Sequence, residues 1–342
     1  MKNNTHSKIK NKKLPAVILL LLQLFFWGEM KGQDFLLSQP YNNPLVVSPS
    51  FAGMANGARA AISYRNQWPG MNQYKTYSTI AGSFDYFIQD YNSSIGLCIV
   101  RDDQGGGLFK SLDAALQYNH LIQLGEELFF RPGVELKLVN RSLDYSKFIF
   151  SENIYYDGSI LNNETPFPVE YDSYTKLDAA ASVLFYNKYF WAGFGMDHLI
   201  PYDASFLREG GRVPLRYTLS AGYNWHYEET RHWNNDTEGT VTFATLFQHQ
   251  AQFNQMDIGA TWTRDFFQLG AWYRGFFVPV KSITSYDAVV VILGLSLDQF
   301  KIAYSYDISI SSLVSVSSGT HEISLSFVFS QKERSPISFF CK

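Results

Sequence analysis

The chain has 342 residues, of which 46% are hydrophobic and 17% aromatic, and its formal net charge is −3. That length admits one large all-β domain or two ordinary ones, and the acidic balance argues against nucleic acid as a partner. Two cysteines, Cys98 and Cys341, lie too far apart in sequence to read as a disulfide scaffold.

The chain opens on a targeting signal. Lys2, Lys8, Lys10, Lys12 and Lys13 precede an apolar run over residues 14–27, too short and wrongly flanked for a spanning helix. Cleavage is expected between Gly32 and Gln33, and removes six Lys and one Glu, shifting the formal charge from −3 to −8. No cysteine follows the run at the position a lipid anchor needs. No later stretch of 18 apolar residues occurs, which leaves a soluble periplasmic protein or a membrane β-barrel.

Residues 33–53 read QDFLLSQPYNNPLVVSPSFAG. Pro40, Pro44 and Pro49 interrupt any strand, and Asn42, Asn43 and Ser48 favour turns. This stretch is expected to be ordered and to pack on or inside a barrel as a candidate plug. The competing reading is an extended periplasmic leader.

Fourteen strands are predicted from there on, over residues 58–66, 74–87, 93–101, 107–121, 127–140, 174–186, 189–198, 213–227, 239–249, 253–264, 266–276, 286–297, 300–307 and 319–330. Most reach the ~9–11 residues that a tilted strand needs to cross hydrocarbon. Their alternation is clean in places. Leu215, Tyr217, Leu219, Ala221, Tyr223 and Trp225 oppose Arg216, Thr218, Ser220, Gly222, Asn224 and His226. Successive strand residues face opposite sides, so one face suits lipid and the other a polar lumen.

The connections sort by parity. If the first strand leaves the periplasm, even connections are periplasmic and short. Tight turns fall near residues 187–188, 265 and 298–299, and long connections over 141–173, 199–212 and 308–318. Two connections break the pattern: residues 228–238, even and long, and the odd connection near Gln250, which is short. The last hairpin, residues 300–329, ends on an aromatic-finished strand whose partner is the first strand, because lipid cannot satisfy an open edge.

Few residues suggest chemistry. The turn Arg101-Asp102-Asp103-Gln104-Gly105-Gly106-Gly107 pairs two carboxylates, but lacks the spacing of a calcium loop or of a phosphate-binding loop. Seven histidines are scattered without metal-ligand spacing, and no Gly-x-Ser-x-Gly elbow occurs. Neither an enzyme nor a cofactor is expected. Arg65, Gln67, Trp68 and Gly70 are placed at the first extracellular connection, with Trp68 an interfacial anchor or a partner contact. Tyr306, Asp307, His321 and Glu322 flank the last extracellular loop. They shape a rim that contacts a partner, or they brace the loop, with Asp307 and Glu322 on the lumen parity accepting hydrogen bonds from loop backbone.

The opening QDFLLSQPYNNPLVVSPSFAG, the segment YRNQWPG at 64–70 and the closing AYSYDISISSLVSVSSGTHEISLSF resemble the PorP/SprF family of Bacteroidota. The resemblance spans the mature chain and is anchored at both ends. The tail, SPISFFCK, departs from the family's basic ending. The family implies an outer-membrane protein associated with type IX secretion, which supports export or surface attachment of large cargo proteins such as gliding adhesins. Those cargoes carry a C-terminal secretion domain. The expected partners are therefore outer-membrane lipid, such cargo and type IX secretion components.

The predicted organisation is a signal peptide (1–32), an N-terminal segment (33–57), an all-β, transmembrane antiparallel up-and-down β-barrel of about fourteen strands (58–330) and a periplasmic tail (331–342). The functional alternative is an outer-membrane channel or hydrophobic-solute transporter with an N-terminal plug.

Overall fold

The computed structural model describes residues 34–55, 57–71, 76–145, 172–204, 206, 211–229, 237–276, 286–297, 299–310 and 318–329. Its strands are β1 (Ala58–Gln67), β2 (Tyr77–Ile88), β3 (Ser93–Gln104), β4 (Phe109–His120), β5 (Ile122–Gln123), β6 (Phe129–Leu143), β7 (Asp172–Tyr186), β8 (Phe190–Asp197), β9 (Arg216–Glu229), β10 (Thr237–Gln250), β11 (Phe253–Arg264), β12 (Phe267–Gly275), β13 (Tyr286–Leu297), β14 (Phe300–Ser309) and β15 (Thr320–Val328). The two-residue β5 only lengthens the pairing at the start of β6. The other fourteen pair antiparallel with their sequence neighbours, and β15 closes on β1 from Arg59↔Val328 to Gln67↔Thr320. The result is a closed fourteen-stranded barrel, as the strand pattern predicts. Closure leaves no unpaired edge, which is what hydrocarbon demands of a sheet.

Alternation decides which residues face lipid. On β15, Ile323 is exposed on the outer face, while Glu322 and Ser324 point inward and are buried. The outer surface carries exposed Ile62, Ile95, Leu97, Ile99, Leu116, Leu136, Leu138, Leu293 and many others. In water such a surface would drive aggregation; in a bilayer it is solvated. Exposed Tyr91, Tyr189, Phe266, Phe267, Phe300 and Phe329 gather at the end where the chain makes its tight turns. An aromatic girdle at the interface is expected there.

The two ends of the barrel differ. Residues 187–189 and 265–266 are tight connections at the turn end. At the opposite, loop end lie the connections 144–171, 198–215, 276–285 and 310–319. By the rule for outer-membrane barrels the turn end is periplasmic. Of the expected long connection at 228–238, β9 takes residues to Glu229 and β10 starts at Thr237, so residues 230–236 remain and lie outside the described residues. The connection after β10 is short, two residues, with Ala251 at φ 53°.

The last hairpin depends on a glycine. Gly319 adopts φ 69°, and a Cβ there would lie 2.7 Å from both the Asp307 carbonyl and the Tyr306 ring. Its carbonyl accepts the Trp68 N–H at 3.0 Å, tying the first loop to the last across the closing seam. Gly319→Ala is expected to destabilise the barrel by about 1–3 kcal/mol. A lower midpoint of the heat-induced gel-mobility shift of the detergent-purified barrel checks it.

Residues 34–55 are the other half of the fold. Each proline opens a 3₁₀ turn: Pro40–Asn42, Pro44–Val46 and Pro49–Phe51. Proline suits a first helical position, where the amide N–H would go unused. The segment runs inside the barrel. Leu45, Phe51 and Met54 are each about 1% exposed, against inward residues that include Phe87, Cys98, Val100, Phe129 and Tyr186. Burying each such side chain is worth roughly 1.5–3 kcal/mol. The core of this protein therefore lies in its lumen.

Candidate functional site

The inward parity carries charge, and the N-terminal segment is where that charge is satisfied. Three polar clusters hold it, from the loop end to the turn end.

The first cluster lies at the loop end, under the last hairpin. Arg65 of β1 and Glu322 of β15 stand opposite one another in register across the closing seam. Glu322 is fully buried and accepts the backbone N–H groups of Ser38, at 2.5 Å, and Gln39, at 3.0 Å. The Gln39 side chain donates to Ser305 Oγ and to the Glu322 carbonyl. Asp307 Oδ2 accepts from Ser38 Oγ at 2.6 Å and from Arg65 and Arg274 at 3.1 Å each. Arg65 also bonds Ser38 Oγ and lies 3.6 Å from Glu322. Arg274 reaches further, donating to Asp257 at 2.9 Å and to the Leu37 carbonyl at 3.2 Å. Two cations and three carboxylates thus grip residues 37–39. Charges buried this deeply persist only when paired and hydrogen-bonded.

The second cluster holds the start of the segment. His198 follows β8 in the left-handed region, at φ 62°. Its ring lies between Asp178, 2.6 Å from Nδ1, and Asp34, 2.7 Å from Nε2. Arg216 bridges Asp34 at 3.1 Å and Asp197 at 3.2 Å. Burial alone would pull the imidazole pKa down, but the Asp34 charge and the hydrogen bonds the ring donates to both carboxylates outweigh it, so the pKa is pushed up to about 9. A pKa raised in the folded state adds stability that is complete below the unfolded value, about 6.5, and is lost as pH rises through about 9. Protease cleavage near residue 34 is therefore expected to increase as pH goes from 6.5 to 9, and to lose that dependence in His198→Gln. Limited proteolysis of the folded barrel across that range measures both.

The third cluster anchors the segment at the turn end. Asp85 accepts the Gly53 N–H at 2.6 Å and pairs with Arg59 at 2.8 Å. Asn119 donates to the carbonyls of Pro49 and Ala52. Arg131, 1% exposed, donates to the Ala52 carbonyl at 2.6 Å and packs over the Phe87 and Tyr186 rings. The segment therefore spans the lumen, from Asp34 near the loop end to Gly53 at the turn end.

The five residues singled out from sequence divide by face. Asp307 and Glu322 point into the lumen, and their partners among the described residues are Ser38, Gln39, Arg65 and Arg274. Tyr306 and His321 pair across β14 and β15 on the outer face, with ring centroids 5.0 Å apart. Tyr304 Oη meets His321 Nδ1 at 2.7 Å, and Tyr306 Oη donates to the Ser318 carbonyl at 3.4 Å. Trp68 sits at φ 58° in the first loop, edge-on to Tyr77. Arg65 and Gln67 correct one expectation: they end β1 and do not belong to the loop, because β1 continues pairing with β15 up to Gln67. The two carboxylates of the glycine-rich turn separate as well. Asp102 faces inward and accepts from Thr79 and Gln104, whereas Asp103 faces outward and pairs with Arg101. They do not converge on one ion.

Sequence reasoning missed Ser38, Asp34, Asp178, His198, Asp257 and Arg274. The strand members among these, Asp178, Asp257 and Arg274, carry a signal in being charges on the inward parity.

Comparison with known proteins bears on identity. Among solved structures the chain is similar to the Pseudomonas putida toluene transporter TodX, with 10% identity, 84% of this chain and 94% of that one covered, and a TM-score of 0.45. It is also similar to Acinetobacter baumannii Omp33, with 7% identity, 80% and 100% covered, and a TM-score of 0.43. A Pseudomonas aeruginosa FadL homologue matches with 13% identity, 83% and 93% covered, and a TM-score of 0.41. Among curated proteins none matches the chain. The family described as type IX secretion system membrane protein PorP/SprF matches residues 29–327, nearly the whole barrel and its luminal segment. This closed outer-membrane barrel belongs to the PorP/SprF family of type IX secretion system membrane proteins.

Proposed function

We propose that this barrel is a closed, non-enzymatic accessory of type IX secretion that supports export or surface attachment of large cargo proteins bearing a C-terminal secretion domain. The observation that carries the reading is the occupied lumen. Residues 34–55 are bonded to both ends of the interior, through backbone N–H groups on the buried carboxylates Glu322 and Asp85 and through the Asp34–His198 pair, so cargo is served at the barrel's rim and not through its centre. Trp68, Tyr306 and His321 belong to that rim at the loop end, while Asp307 and Glu322 act through the segment they hold. Residues 1–32 serve as a cleaved export signal. A hydrophobic-solute channel is less well supported. The cavity beside the segment is lined by Gln39, Asn42, Thr242, Thr261, Gln268 and Lys301 as well as by aromatic rings, which is a poor path for an apolar solute. Deleting the gene and profiling surface and medium proteins tests the reading. Selective loss of one or a few proteins with C-terminal secretion domains is expected. Unchanged export of all of them would overturn it.

A further inference from the structure

The wall is closed across the hydrocarbon, but the hairpin β9–β10 outruns its neighbour at the turn end. Pairing of β8 with β9 stops at Phe190↔Tyr223, and one more bond follows, from the Asn224 N–H to the Tyr189 carbonyl at 2.6 Å. β9 continues to Glu229, paired there with β10 alone through Thr237↔Glu229. About 20 Å of strand therefore runs past the start of β8 with one side bare. Neighbouring residues of a strand direct their N–H and C=O groups to opposite sides. Asn224 points its N–H at the β8 side, so His226 and Glu228 point theirs the same way, past the end of β8, while Tyr227 and Glu229 turn to β10. Among the described residues His226 and Glu228 have no backbone partner on that side. Hydrocarbon does not tolerate such an edge, so the step lies in the periplasm, beside exposed Tyr189, Tyr223 and Trp225 at the lipid interface.

We infer that this free edge of β9, from His226 to Glu229, binds an extended, basic segment of a periplasmic protein as an added strand. The N–H and C=O groups of His226 and Glu228 call for another extended backbone. A step of the same kind at β6 is already filled in that way. β4 pairs with β6 only down to Asn119↔Gly133, and the two-residue β5 adds to the remainder through Ile122↔Phe130 and Gln123↔Phe129. The β9 step has no such filler among the described residues, and neither proline nor bulge guards it. Basic character follows from register. Glu228 stands opposite Glu238, with Glu229 next in the strand, and like charges so placed repel until a cation joins them. Exposed Trp225 offers a flat apolar neighbour to a β-branched side chain. A second copy of the chain fits less well. Barrels sharing a membrane run their β9 strands in one direction, and a two-fold pair of parallel strands sets donor against donor.

The test uses the full chain in detergent micelles and a short synthetic peptide of alternating lysine and valine, with a glutamate–valine peptide as its acidic counterpart. Fluorescence anisotropy reads affinity, and residue-resolved amide hydrogen exchange reads the edge. In the free barrel the His226 and Glu228 amides are expected to exchange fast, and those of Tyr227 and Glu229 slowly. The basic peptide is expected to bind saturably and to slow the first pair, a measurement that needs no variant. His226→Pro removes a donor on the bare side and keeps the bonds to β10, so it is expected to weaken binding about tenfold or more. His226→Ala keeps the N–H and is expected to retain binding. An unshifted heat-induced gel-mobility midpoint confirms folding of both variants. Slow exchange of His226 and Glu228 in the free chain would overturn the assignment, in favour of the chain's own residues if independent of protein concentration and of a second copy if not. A peptide that leaves both amides fast, or binding that His226→Pro leaves unchanged, would overturn it too. Equal binding of the acidic peptide would overturn the basic character of the partner.

Discussion

Replacing Glu322 with Ala is expected to lower the stability of the barrel by about 3–5 kcal/mol and to free residues 37–39 from the wall. Glu322 is fully buried and is the acceptor for two backbone N–H groups, those of Ser38 and Gln39. Pro40, next in sequence, has no N–H to offer, so the anchoring of this stretch to β15 rests on these two donors and on the Gln39 side chain. Removal strands both donors and leaves Arg65 with Asp307, at 3.1 Å, as its one carboxylate partner among the described residues. The retained Asp307 pair places the loss near the lower end of that range. Glu322→Gln is the informative companion. It keeps shape and one acceptor oxygen, but turns an amide N–H₂ toward the backbone donors, so an intermediate loss is expected. The heat-induced mobility shift measures stability, and limited proteolysis within residues 34–55 measures release. An unchanged midpoint together with unchanged protection in Glu322→Ala would show that the segment is held by its apolar contacts.

The barrel was legible because one physical rule, alternation, repeats over every strand. Lipid outside and a polar network inside leave the same period on β9, β11 and β15, and closure then follows from the lack of any tolerable edge. What alternation cannot give is height. It puts Asp257, Arg274, Asp307 and Glu322 on the inner face without saying which of them share a level. Arg274 lies opposite Asp257 in the β11–β12 register, yet it meets Asp307 only because the strand tilt brings β14 to the same height. The His198 site was hidden more thoroughly. Its partners are 20 and 164 residues away, one in a strand and one in the luminal segment. The prolines of residues 40–49 ruled out a strand, but 3₁₀ turns have no period long enough to name the face that packs against the wall. The segment's course through the lumen is a property of the closed barrel, and no local pattern encodes it.

Deletion of residues 34–53 is expected to convert a non-conducting barrel into a conducting one. Eight strands enclose a space that side chains alone fill, whereas sixteen to eighteen leave an aqueous channel. Fourteen strands lie near the upper case, so side chains of the wall do not close this lumen unaided. The deletion should also be tolerated better, per group exposed, than the single substitution of Glu322. With the segment in place these charges are buried, and one missing carboxylate leaves its partners unsolvated. With the segment gone, water enters, and Arg65, Arg274, Asp257, Asp307 and Glu322 exchange protein partners for hydration while keeping their own ion pairs. The penalty for unpaired buried charge therefore falls just when the most contacts are lost. Planar-bilayer recording of both proteins decides the matter. Steady conductance steps are expected from the deletion variant and none from the full chain. A folded deletion variant that stays silent would place the closure in the long connections at the loop end. Steady conductance from the full chain would show that the segment leaves a path beside it, and would favour the channel reading of this fold.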